Sequence, residues 1–297
     1  MGNTYFYIYF TKVSYFGMMF LQTSACSVMI HNEFLTIKLT EVKDMNIQVY
    51  TPDQQAVGEF DGGKITEQKP IGFPGEGSAV KRLGPLFYWA WMKSPVEGYI
   101  PPHPHQGFEI MTYMVSGKAG HGDSLGTRSV VEAGGIQLMQ TGSGVYHEER
   151  IIGPDAEGFQ IWFEPYLEKA FHEAPTYRQF EHNEFPIEEN EGQRVKTIIG
   201  DGSVVDIVTD IKMWDVFVKS GGSYQFELPE GYALAVLAFR GDGEVEATAF
   251  HDKDFVVIQN DGQSTQTVHF QPKDHNELHL MVIQTPIAVD YPLYPHR

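Results

Sequence analysis

The feature that most constrains this chain is its rhythm between Pro70 and Trp162. Short apolar runs alternate with Gly, Pro or Asp turns: Phe87-Tyr88-Trp89-Ala90-Trp91, then Phe108 to Val115, Ser129 to Glu132, Ile136 to Gln140 and Gly158 to Phe163. Runs of this length, bounded by turn residues, are the signature of a β-sandwich or barrel. No long stretch carries apolar residues at helical spacing. The pattern resumes after a Glu-, Pro- and His-rich stretch, in Lys196 to Ile199, Val204 to Val208, Met213 to Val218, Tyr232 to Phe239, Phe255 to Gln259 and Glu277 to Gln284. A chain of 297 residues is long for one small barrel and comfortable for two domains. The expected organisation is all-β and two-domain, with a first barrel over 45–165, a linker over 166–194 and a second barrel over 195–297.

Residues 1–44 do not share this rhythm. They hold an interrupted apolar run without the basic start of a signal peptide, and Gln22, Thr23, Ser24 and Ser27 break it too often for a membrane span. They read as a disordered or misassigned extension, with the ordered protein starting near Met45.

Charge and cysteine content narrow the function. The formal net charge is −18, and no Lys/Arg cluster offsets it locally, which argues against direct nucleic-acid binding. The acidity fits a soluble cytoplasmic protein without a membrane partner. Cys26 is the single cysteine. An intramolecular disulfide and a thiolate zinc site are therefore excluded, and any metal must be held by His and carboxylate.

Two clusters supply such donors. In Pro101-Pro102-His103-Pro104-His105-Gln106-Gly107-Phe108-Glu109, the two histidines stand two apart. On an extended strand they share a face, and Pro102 and Pro104 forbid a helix there. His147 and Glu149 repeat the spacing about forty residues on, after the Gly142-Ser143-Gly144 turn. Three imidazoles and one carboxylate suit Fe(II), Mn(II), Ni(II), Co(II) or Cu(II) and leave coordination positions open for a substrate oxygen or dioxygen. Glu109 shares parity with His103 and His105 and is the competing carboxylate. His121 sits in a turn-like Gly-His-Gly-Asp and reads as a surface residue or as one standing behind the ligands. His251, His269, His275 and His279 lack such pairing, so the second barrel is expected to hold no metal.

These segments resemble the pirin family of the cupin superfamily. The resemblance is carried by Pro-Pro-His103-Pro-His105-Gln-Gly-Phe-Glu109, by His121-Gly-Asp123-Ser124-Leu125-Gly126, by Gly142-Ser-Gly144-Val-Tyr-His147-Glu-Glu149 and by Gly158-Phe-Gln-Ile-Trp162. It covers residues 69–165, with Gln106 standing where pirins commonly carry Arg. It implies two stacked cupin (jelly-roll) barrels with one metal in the first, and it places His103, His105, His147 and Glu149 on the family's ligands, with Glu109 beside them. The expected cofactor is one divalent transition metal, Fe(II) first, with Ni, Co, Mn or Cu as alternatives. The expected activity is a quercetin 2,3-dioxygenase-like oxidation of a small aromatic substrate by dioxygen, with Glu149 as the catalytic carboxylate. The alternative is a metal- or redox-sensing regulator that binds a partner protein.

Overall fold

The computed structural model describes residues 19–22, 25–30, 33–37 and 45–294. In the first 43 residues, the strands Met19–Gln22, Ala25–Ile30 and Glu33–Ile37 form an antiparallel sheet. The rest of that segment, and with it the reading of 1–44 as an extension, lies outside the described residues. Residues 44–297 form a separate compact unit. No helix among the described residues is long and apolar enough to cross a membrane.

Within this unit the chain is all-β and builds two jelly rolls. Their sheets do not close into hydrogen-bonded barrels. The first is one nine-stranded sheet folded over on itself. Two long strands, Glu109–Asp123 and Val145–Phe163, make the fold-over. The register of the second against the first breaks between Ile152 and Glu157. Before the break, Val145–Phe163 also pairs with Gly98–His105, and after it with Leu86–Ser94. Alternation sets what points inward: Val145, His147, Glu149 and Ile151 are buried, while Tyr146 and Arg150 are exposed. Ile151 joins Ile65, Met92, Met114 and Val131 in an apolar layer that forms part of the interior.

The second jelly roll packs a seven-stranded sheet on a four-stranded one. Val216, Leu234, Val236, Val256, Phe270 and Leu280 lie in its core. The two domains meet through Trp89, Trp91, Phe159, Phe239, Phe255 and Met281, which belong to one buried cluster. This explains the unbroken apolar run at 86–92. Tyr88 and Ala90 belong to a different cluster from Trp89 and Trp91, so both faces of that strand are covered.

Two segments fall differently from the sequence reading. Met45–Tyr50, read as part of the first barrel, pairs with Phe255–Asn260 at the edge of the second domain's sheet. The stretch 166–194, read as a linker, supplies Thr176–Phe180 to the first sheet and Ile187–Glu189 to the second. Both are outermost strands, where charged side chains are tolerated and protect the edge.

This placement makes a truncation informative. A chain starting at Met45 is expected to melt like the full chain. One starting at Thr51 loses Ile47 and Val49, which pack on the second core. It should melt roughly 5–10 °C lower, as a loss of a few kcal/mol implies for a domain of this size. Thermal scans of the three proteins check this; equal melting of the Thr51 chain would contradict the pairing.

Candidate metal centre

The strand Gly98–His105 carries three prolines and pairs only with Val145–Phe163, which leaves it a free edge where missing N–H groups do no harm. Its register sets His103 directly opposite His147 and His105 opposite Val145. The three imidazoles converge, with ring centroids 4.3 Å apart for His103–His147, 4.8 Å for His103–His105 and 4.9 Å for His105–His147. One nitrogen from each ring lies within 4.8 Å of the others, and this is the one such group of metal donors among the described residues.

Three of the ring nitrogens are buried without a protein partner. His103 Nδ1 donates to Pro101 O at 2.9 Å. His105 Nε2 and both nitrogens of His147 are buried with no hydrogen bond. A buried polar atom left unpaired costs about 1–3 kcal/mol, so three together call for an occupant. Burial, reinforced by His147 and His103, lowers the pKa of His105 to about 3. Burial, reinforced by His103 and His121, does the same for His147. Both are therefore neutral at physiological pH, the form in which imidazole binds a metal. The donor set and its orphaned atoms fit a divalent transition metal.

Glu149 faces the same interior but stands apart from the three nitrogens. A register shift between His147 and Glu149 moves it opposite Ile100. Its Oε1 accepts from Gln160 Nε2 at 2.7 Å, and Gln160 Oε1 accepts from Trp162 Nε1 at 3.2 Å. Trp162 sets its edge against His105, with centroids 4.7 Å apart. A chain of contacts thus runs from the carboxylate to a histidine.

Glu109 turns its carboxylate to the second domain. It is buried and accepts from Gln140 Nε2 at 2.8 Å, from Val208 N at 2.8 Å, from Thr209 N at 2.9 Å and from the Thr209 hydroxyl. It clasps the second domain. Gln106, at the position where pirins commonly carry Arg, donates to Ser143 O at 3.1 Å, and Gly107 N donates to Gly142 O at 2.9 Å. These bonds tie the turn that follows His105 to the turn that precedes His147. His121, read either as a surface residue or as one standing behind the ligands, is buried. It lies 2.8 Å from Asp123 Oδ2, stacks on Tyr177 and has its ring 5.5 Å from that of His147. Local sequence carried no signal for this, because Tyr177 arrives from the stretch read as a linker.

Comparison with known proteins agrees with this architecture. Residues 87–163 match the profile of the family described as Pirin. The chain is 31% identical over 178 residues to a pirin-like protein of Caulobacter vibrioides, a match covering 59% of this chain and 74% of the relative. It is 30% identical over 194 residues to a pirin-like protein of Solanum lycopersicum, covering 64% of each. The bacterial pirin YhhW of Escherichia coli, solved in complex with nickel(II), superposes with a TM-score of 0.67 at 18% identity, over 82% of this chain and all of that one. A quercetin 2,3-dioxygenase from Acinetobacter baumannii superposes with a TM-score of 0.69 at 18% identity, over 84% and 89% of the two chains. Two jelly rolls, a histidine trio facing into the first and a relative matched over most of its length lead to one assignment: the chain belongs to the pirin family.

Proposed function

We propose that this protein holds one divalent transition metal per chain through His103, His105, His147 and Glu149, and oxidises quercetin or a related flavonol with dioxygen. The observation that carries the reading is the set of buried, unpartnered imidazole nitrogens at the convergence of three rings. Fe(II) is the first candidate, with Ni, Co, Mn or Cu as alternatives, since three imidazoles and a carboxylate order metals by affinity without selecting one. The nickel-bound E. coli pirin and the quercetin dioxygenase fold of the Acinetobacter protein support this class of site and substrate.

A bound metal supplies Lewis acidity and open positions for oxygen ligands. The chain's own groups do the rest. Glu149, as a ligand or after swinging free of that role, takes the proton released by an acidic substrate hydroxyl. Gln160, bonded to both Glu149 and Trp162, keeps that carboxylate oriented. Beside His105, Trp162 packs with Tyr88 and Phe73, with centroids 5.0 Å and 5.5 Å away, and offers flat apolar surface suited to an aromatic ring.

The test is elemental analysis followed by oxygen uptake with quercetin, on protein loaded in turn with Fe, Ni, Co, Mn and Cu. One metal equivalent per chain is expected, with quercetin loss that stops when oxygen is removed. Two equivalents would contradict the single site. Absence of turnover with every metal would replace the enzyme reading with that of a metal-sensing regulator.

A further inference from the structure

A cavity of 650 Å³ opens along the seam between the two domains. Its size falls in the range of small-molecule sites, and domain seams are where such sites concentrate. None of the three clustered histidines lines it, nor do Glu149, Gln160 or Trp162. Phe108 does, and its ring lies 6.2 Å from that of Trp162, the residue that packs on His105. The cavity is thus a separate compartment, one aromatic layer removed from the metal centre.

Its walls are built on closely packed backbone. One side is the pair of turns through Gly107 and Gly142, both in the positive-φ region at 84° and 46°. A Cβ on Gly107 would meet the Phe171 ring at 2.5 Å, and one on Gly142 would meet Glu173 O at 2.4 Å. Only glycine lets the short helix Leu167–Ala170 and the turn after it pack so closely. The other side is the C-terminal segment, where Tyr291 stacks on Tyr166 at 5.7 Å and anchors its hydroxyl by donating to Glu164 O at 2.8 Å.

The chemistry of this lining is specific. Phe108, Tyr166 and Tyr291 offer three aromatic rings, and the charged groups are Glu109, Glu173 and Asp290 against Lys169 alone. Lys169 Nζ already lies 5.6 Å from the Tyr166 centroid, so this ring system accepts a cation on its face. Burial first, and then the negative charges of Glu164, Glu109 and Asp290, raise the Tyr291 phenol to about 12. Acidic side chains thus outnumber basic ones in the lining.

We propose that this cleft is a second ligand site, distinct from the metal centre, for a small organic cation with a flat aromatic body, of the arylalkylamine class. The ring of such a molecule lies against Tyr291 and Phe108, and its ammonium group faces Asp290 and Glu173. The site rests on the same turns that carry His105 and His147, so it adjoins the metal without sharing a ligand.

Isothermal titration of the full chain with tryptamine tests this, with indole-3-propionate as a probe of the same ring and opposite charge. Saturable one-to-one binding of tryptamine is expected, with the acid binding about tenfold more weakly because its charge meets the carboxylates. Asp290→Asn should weaken tryptamine about threefold, the scale of one exposed charge. Ala170→Trp, which fills the cleft, should abolish binding with the circular dichroism spectrum unchanged. His147→Ala should bind tryptamine like the wild type, which separates this proposal from the fate of the metal reading. No binding of tryptamine, equal binding of both probes, or wild-type binding by both Asp290→Asn and Ala170→Trp would overturn it. Loss of binding in His147→Ala would move the ligand to the metal centre and overturn it equally.

Discussion

His147→Ala is expected to remove the bound metal, lowering its affinity at least about 100-fold, since changes one shell further out already cost 10–100-fold. His147 stands opposite His103 in the register and has its ring within 4.9 Å of the other two, so its loss leaves two imidazoles on a single strand. The fold should survive. The substitution deletes two buried nitrogens that have no partner in the protein, and relief of their desolvation cost offsets part of the cavity it opens. Thermal melting separates the two effects. Wild-type protein at a metal concentration 100 times its dissociation constant gains about 2.7 kcal/mol, read as a rise of several degrees. The His147→Ala protein should show no rise, with a metal-free melting temperature within a few degrees of the wild type. A metal-dependent rise of wild-type size in the variant would place the centre elsewhere.

The two glutamates should separate cleanly. Glu109→Gln is expected to destabilise the protein by about 3 kcal/mol, since the new amide NH2 meets donors already aimed at the carboxylate. Those donors are the backbone N–H groups of Val208 and Thr209, the Thr209 hydroxyl and the Gln140 amide. For a domain of this size the melting temperature should fall by roughly 6–12 °C, with metal content unchanged. Glu149→Gln should do the reverse, losing metal affinity with little loss of stability, because Gln160 can still donate to an amide oxygen. Metal analysis and thermal scans on both variants decide the matter. Loss of metal in Glu109→Gln with retention in Glu149→Gln would show that the earlier carboxylate is the ligand.

Glu109 leaves the face of His103 and His105 at Gly107. Counting by twos from His103 and His105 puts Glu109 on their face only if the backbone stays extended between them. Gly107 has φ 84°, and the first histidine strand ends at His105 before a new strand starts at Glu109. Parity does not carry through a positive-φ turn. The same counting holds from His147 to Ile151, where the burial alternates without interruption. The second clue, the pairing of Glu109 with residues 208 and 209, is 100 positions away and has no local trace.

What the sequence determined by itself was what depends on near neighbours along the chain. Alternation at period two specified strands, Gly and Pro placed the turns, and prolines around His103 and His105 held those two imidazoles to one face. The fold class followed from these, and so did the shared face of His103 and His105. Tertiary structure alone decided which strand joined which sheet and which buried polar group found a partner. Met45–Tyr50 pairs some two hundred residues downstream, Tyr177 covers His121, and Glu109 reaches across the domain seam. Such contacts are chosen by the competition of all edges and all donors in the folded molecule, and a residue's own neighbours in sequence hold no record of that competition.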